Sequence, residues 1–225
     1  MIEISNLNLF YKKVQILKNI DFAMQKNGCV CIMGESGAGK SMFAKSFIKL
    51  FDDEFKLSAD KFSVFQNDIL SLDGEKLREF RSKICALVFQ NAKASFHPLL
   101  NVGDNFFLYL KDRISEPKKE AFEALEKLLF DDLNLLWHKF PYELSGGEAS
   151  RVQIAIALCL KPKVLICDEI TASLDAQNQK SIVKIINSLK DELQILFITH
   201  QKNVANAVAD EFYTMQNGVL KNARS

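Results

Sequence analysis

The sequence predicts an α/β protein built on a mainly parallel sheet, with a helical segment inserted between two core strands. Three observations predict it. The short apolar runs GCVCIM (28–33), ICALVF (84–89), VLICD (164–168) and ILFIT (195–199) have the length and bounding of buried strands. Three of these runs are followed by segments of helical spacing, at 41–50, about 175–190 and about 201–209. Between about 91 and 143 the β-like runs give way to amphipathic helix.

The elements follow in order. Residues 1–27 read as strands: IEISNLNLF alternates imperfectly, and VQILKNIDFAM follows a polar break at Lys12–Lys13. GCVCIM ends in a glycine loop, and SMFAKSFIKL (41–50) resumes as helix. Residues 51–89 are mixed, with a turn signal at Asp73–Gly74. In KKEAFEALEKLLF, Phe122, Leu125 and Leu129 share one helical face, with Ala121, Leu125 and Leu128 beside them. A helix is predicted over about 148–160, and Asn217–Gly218 marks a terminal hairpin. The expected organisation is a single domain, 1–225. In it, 1–90 and 161–225 form the α/β core with a β subdomain, and about 91–160 form a helical subdomain.

Bulk composition narrows the class. A chain of 225 residues that is 48% hydrophobic can bury a substantial core. Its 29 basic and 28 acidic residues leave a net charge of +1 with no Lys/Arg stripe, so no nucleic-acid partner is expected. No apolar run reaches the roughly 18–20 residues a membrane helix needs. The N-terminus lacks the basic and apolar blocks of a secretory signal, so a cytosolic protein is expected unless a membrane partner holds it. Five cysteines without C-x-x-C spacing, four of them inside apolar stretches, read as buried thiols of a reducing compartment. His97, His138 and His200 are scattered and form no metal motif.

The chemistry begins at GESGAGKS, a Gly-x4-Gly-Lys-Ser loop between a strand and a helix. Gly34, Glu35, Ser36, Gly37, Ala38 and Gly39 supply backbone N–H groups that turn inward around phosphate oxygens. Lys40 brings a point charge to the β- and γ-phosphates, and Ser41 can place its hydroxyl on Mg²⁺. The following helix, which includes Met42, offers its positive end. Downstream, VLICDE ends an apolar strand in two acids. Asp168 is expected to serve the Mg²⁺ shell, and Glu169 to orient or deprotonate an attacking water. The arginines, Arg78, Arg81, Arg113, Arg151 and Arg224, do not cluster like a kinase lid, which favours hydrolysis. A second phosphate-seeking helix start lies at ELSGGEASRVQIAIALCL (143–160). Ser145 and Glu148 there have capping-box spacing, so the segment reads either as a well-capped helix or as a second cradle.

With these motifs in order, the chain resembles the nucleotide-binding subunits of ABC transporters over nearly its whole length. LSGGE (144–148) looks like the signature motif, TASLDA (171–176) like the loop after the second acidic strand, and FITH (197–200) like the switch-histidine segment. The resemblance implies a RecA-like P-loop NTPase core with an N-terminal antiparallel β subdomain and an inserted α-helical subdomain. It implies ATP and Mg²⁺ as cofactors and Glu169 and His200 as catalytic residues. Tyr11 would stack on adenine, and Gln90 would join Ser41 and Asp168 at the metal. Leu144, Ser145, Gly146, Gly147 and Glu148 would act on ATP held by a second subunit, with Asp175 at the dimer contact. Each of these residues has a structural alternative: Tyr11 a packed strand aromatic, Gln90 a loop amide and His200 a helix cap, although the position of His200 just past a strand end suits a γ-phosphate contact better.

The implied partners are a second ATP-binding subunit, identical or related, and integral membrane permease subunits, with a substrate-binding protein acting indirectly. The implied location is the cytoplasmic face of the inner membrane, held peripherally. VFQNAKASFHPLLNVGDNF is similar to the Q-loop region of nickel and peptide importer ATPases. The chain stops seven residues after Gly218, short of the usual peptide-type tail, which favours the nickel or metal-chelate branch. Departures from the pattern are Ile170, Ala92, Ala149–Ser150 and Gln201. The alternative is a soluble ABC-type ATPase of complex assembly or nucleic-acid remodelling. It would carry a coiled coil, a zinc insert or a second such domain. A P-loop kinase leaves Leu144–Glu148 and His200 unexplained.

Overall fold

The computed structural model describes residues 1–223; Arg224 lies outside them. Two sheets organise the described chain. The first is antiparallel, with strand order β2 (Val14–Met24), β1 (Ile2–Tyr11), β5 (Lys61–Val64), β6 (Asn67–Asp68), and with β4 (Phe55–Ser58) also paired to β1. The second runs β11 (Val219–Asn222), β10 (Glu211–Gln216), β3 (Gly28–Met33), β9 (Gln194–Ile198), β8 (Val164–Asp168), β7 (Cys85–Phe89). It is parallel from β10 to β7, and β11 closes it as an antiparallel hairpin.

The parallel strands read as continuous apolar runs because both of their faces are covered. Their period of two divides them cleanly. Cys29, Cys31, Leu165, Cys167, Ile195 and Phe197 enter one core, and Val30, Ile32, Val164, Ile166, Leu196 and Ile198 enter the other. The second core holds α1 (Lys40–Ser46) and the antiparallel sheet, with edge-on aromatic contacts running Phe22, Phe43, Phe47, Phe62. The first core takes α6 (Gly146–Cys159), α7 (Ala176–Leu189), α8 (Lys202–Val208) and the helices between β7 and β8.

Those helices are α3 (Val102–Leu110), α4 (Pro117–Glu126) and α5 (Leu133–His138), with a 3₁₀ turn at Ala92–Ser95. The face of α4 that packs is Ala121, Ala124 and Leu125, continued by Leu128 in the turn that follows. Leu129 does not share it. The helix has ended, Leu129 has φ +58°, and its side chain is exposed. Asp132 then caps α5 by accepting from the Leu135 amide at 2.9 Å.

The turn signal at Asp73–Gly74 marks the start of a helix, α2 (Gly74–Lys83), with Asp73 extended at its N-cap. The helix predicted from 41 closes at Ser46, and Lys49 at φ +48° turns the chain out of it. The Asn217–Gly218 turn forms as expected, with both residues at positive φ (50° and 80°), the combination a type I′ hairpin demands.

All five cysteines are buried. Burial pushes the thiols of Cys31 and Cys159 up to about 12, and those of Cys29, Cys85 and Cys167 up as well. The native protein at pH 8 is therefore expected to be inert to a thiol reagent. All five thiols should titrate once it is denatured, and fast reaction of the native form would show that the core opens locally.

Candidate active site

The site sits at the carboxyl ends of four neighbouring strands, where ligand crevices of open parallel sheets lie. Register levels these ends: Ile32 pairs with Ile198, Ile198 with Asp168, and Asp168 with Phe89. The loops leaving β3, β9, β8 and β7 therefore start side by side, carrying Gly34–Gly39, His200, Glu169 and Gln90.

Gly34 is required by close approach. A Cβ there would lie 2.3 Å from the Met215 carbonyl oxygen of β10. The terminal hairpin supports the loop again through Gly218, whose amide donates to the Ala38 carbonyl at 3.0 Å. Glu35, Ser36 and Gly37 are exposed, Ala38 is buried, and Gly39 at φ +106° starts α1. Met42, in the first turn of α1, packs partly buried against the second core.

Lys40 is only 4% exposed, so its charge must be matched. Its ammonium donates to the carbonyls of Gly34 (2.8 Å) and Glu35 (2.9 Å) and pairs with Glu169 Oε1 at 3.2 Å. That uses all three protons. The other oxygen, Glu169 Oε2, meets His200 Nδ1 at 3.1 Å. A carboxylate only accepts, so Nδ1 carries the proton in this contact. Glu169 itself has φ +51°, unusual for a side chain of its size, and its amide donates to the Ile198 carbonyl at 3.0 Å. The left-handed turn swings the carboxylate back over the loop of β3.

Asp168 is buried, and burial pushes its carboxyl above the usual range. Glu169 adds to this, while Ser41, Lys45 and Lys40 oppose it. The Ser41 hydroxyl donates to Asp168 Oδ1 at 3.0 Å. Two hard oxygens on rigid elements, beside a phosphate-type loop, are a donor set that fits Mg²⁺. Gln90 follows the partner of Asp168 in register but is exposed. Among the described residues no hydrogen bond joins it to Ser41 or Asp168.

Tyr11 ends β1. Its ring lies 4.8 Å from that of Phe55, and its hydroxyl donates to Glu54 at 2.9 Å, which also pairs with Lys12 at 3.0 Å. These contacts hold the half-buried ring at the end of the strand. Glu54 and Phe55, unremarked in the sequence, hold it, and only their pairing with β1 reveals them.

Ser145 and Glu148 form the reciprocal box that their spacing predicts. The Glu148 amide donates to Ser145 Oγ at 3.1 Å, and the Ser145 amide donates to Glu148 Oε2 at 2.7 Å. Burial raises the Glu148 carboxyl, and the Lys139 ammonium and Ser145 outweigh it, holding it below the usual range. The helix starts at Gly146, two residues earlier than predicted. Leu144 is buried and Gly146 exposed. Among the described residues, no hydrogen bond joins 144–148 to Gly34–Met42. Asp175 caps α7, accepting from the Asn178 amide at 2.9 Å and its side chain at 2.7 Å. These two bonds hold its carboxyl low. Gln201 ties Thr171 and Thr199 together, and His200 faces Glu169 and caps no helix.

Fold and site together define a P-loop NTPase whose buried lysine and second acidic strand converge on one crevice. Residues 17–172 match the family model described as ABC transporter. The chain is 32% identical over 212 residues to the metal-staphylopine import system ATP-binding protein CntD of Staphylococcus aureus, covering 91% of this chain and 78% of that one. It is 34% identical over 229 residues to the methionine import ATP-binding protein MetN of Clostridium acetobutylicum, covering 98% and 68%. An ATP-binding cassette solved as a dimer in a post-hydrolysis state with ADP and Pi superposes with a TM-score of 0.85 at 26% identity, over 100% of both chains. The chain belongs to the ABC transporter family of ATPases, which bind ATP with Mg²⁺. No helix among the described residues is long and apolar enough to cross a membrane.

Proposed function

We propose that the chain is the ATP-hydrolysing subunit of an importer, that it works as one of two facing subunits, and that its cargo is a metal chelate, with nickel as the metal. The observation that carries the ATPase chemistry is the convergence of Lys40, Glu169 and His200 beside Ser41 and Asp168. The Q-loop segment and the metal-staphylopine relative support the cargo.

Catalysis here is positioning and charge stabilisation. The loop amides of Gly34–Gly39 and the Lys40 ammonium hold phosphate oxygens, exchanging the Gly34 and Glu35 carbonyls for a ligand. Ser41, Asp168 and Gln90 would hold Mg²⁺, which supplies positive charge at the β- and γ-phosphate oxygens when bound. Glu169 takes the proton of the attacking water, and His200 aligns that carboxylate and the γ-phosphate region. Tyr11 offers its ring to the adenine. Leu144–Glu148 present the positive end of α6 to the nucleotide of the facing subunit, with Asp175 beside them. The subunit works at the cytoplasmic face of the membrane, bound to permease subunits that a substrate-binding protein feeds.

Uptake by cells lacking this protein tests the cargo. Uptake of ⁶³Ni, free and chelated, is expected to fall and to return with the wild-type chain but not with Lys40→Ala. Loss of methionine or peptide uptake with nickel uptake intact would replace the cargo reading. Normal uptake of all three solutes would favour the assembly-type ATPase instead.

A further inference from the structure

Asn178 stands three residues into α7 and was given no role by its sequence. It touches two segments that lie far apart along the chain. On one side, Asn178 meets both oxygens of the Asp175 carboxylate: Oδ1 accepts from the Asn178 amide at 2.9 Å, and Oδ2 from Nδ2 at 2.7 Å. On the other side, Asn178 Oδ1 fills the space that a side chain at residue 147 would need. A Cβ on Gly147 would lie 1.9 Å from that oxygen and 2.2 Å from Cγ. Arg151, one turn along α6 and stacked 4.7 Å over the Phe130 ring, reaches the same oxygen at 3.5 Å. Orientation of the side chain is therefore fixed: Nδ2 must face the Asp175 carboxylate, and Oδ1 must face α6.

We infer that Asn178 is a positioning residue that joins the Gly146–Gly147 turn to the Asp175 loop, so that both meet the facing subunit as one rigid edge. The inference rests on the paired-subunit reading above. It gives Gly147 a reason to lack a side chain that is internal to the subunit. It also makes the geometry of the shared site depend on a residue that touches no nucleotide.

Asn178→Asp is the discriminating variant. An acidic residue in the first turn suits a helix, so α7 is kept. The bond to Asp175 Oδ2 becomes a carboxylate–carboxylate repulsion. In a Glu169→Gln background with MgATP, sedimentation is expected to show the dimer of the parent weakened by at least about tenfold. In the Glu169 chain, turnover should fall by a similar factor. Binding of labelled ATP to dilute monomer should stay within about twofold, because among the described residues no hydrogen bond joins Asn178 to the Gly34–Ser41 loop. The melting temperature should be unchanged, because the acid in the first turn of α7 offsets the lost bond. A second arm uses Gly147→Ala. Truncation by Asn178→Ala removes the 1.9 and 2.2 Å contacts and leaves the Asn178 Cβ at 2.8 Å. The double variant should therefore lose less activity than the sum of the singles.

Dimerisation and turnover at parental levels in Asn178→Asp would overturn the role. So would strict additivity in the second arm, or a fall in melting temperature that accounts for the lost activity. Failure of the Glu169→Gln parent itself to dimerise with MgATP would overturn the paired-subunit reading, and the role of Asn178 with it.

Discussion

Replacing Glu169 with glutamine is expected to slow ATP turnover by about 10²–10³-fold and to leave ATP affinity within about threefold. The geometry gives the reason. The glutamine amide has the shape of the carboxylate and can occupy the same left-handed turn. It cannot take a proton from water, and it no longer neutralises Lys40. The lysine keeps its two carbonyl bonds, so the loop stays assembled. Its charge is freer for phosphate, which offsets any loss of binding. Phosphate release at saturating MgATP, set beside equilibrium binding of a labelled ATP, separates the two effects. Turnover at the wild-type rate would mean that Glu169 is not the base. Weakened binding at an unchanged rate would make it a ground-state contact.

The second large effect is on stability. Gly34→Ala places a methyl group 2.3 Å from the Met215 carbonyl oxygen and 3.2 Å from its carbon, both of them backbone. No side-chain rotation relieves that contact. Either β10 moves from β3, or the loop moves into the crevice. A cost of about 3 kcal/mol is expected, a fall in melting temperature of roughly 6–12 °C for a chain of this size. Nucleotide binding should be lost with it, because the same displacement tilts the amides that face phosphate. Differential scanning calorimetry with and without MgATP measures both. Gly37→Ala is the internal control, since a Cβ there meets nothing within 4 Å. It faces only the strain of φ +79° and should cost less.

The parallel core was legible because its strands are buried on both faces and so read as unbroken apolar runs. The Asn217–Gly218 hairpin and the Ser145–Glu148 box were legible because each depends on a few adjacent residues. The pairing of residues 55–68 was not. Those strands are two to four residues long, interrupted by left-handed Phe65 and Gln66, and their partner β1 is some fifty residues away. Helix ends were misjudged where a left-handed residue, Leu129 or Lys49, cuts an apolar pattern that continues past it. At the site, Lys40, Ser41, Asp168 and Glu169 follow from spacing, because the motif fixes which strand end each occupies. Glu54 and Asn178 do not, since they matter only through residues that the fold brings to them. The bond from the Asn178 amide to Asp175 is local to one helix start, and nothing in that spacing points across to Gly147.

The terminal hairpin has a consequence for the order in which the protein is made. Strand β3 lies between β9 and β10, and Ala38 waits for an amide proton from Gly218. A nascent chain made as far as residue 50 holds every atom of the phosphate loop but neither strand that flanks β3. Both strands come from the last thirty residues of the described chain. Completion of the loop therefore waits for β9, β10 and Gly218, residues that are made some 150 positions after it.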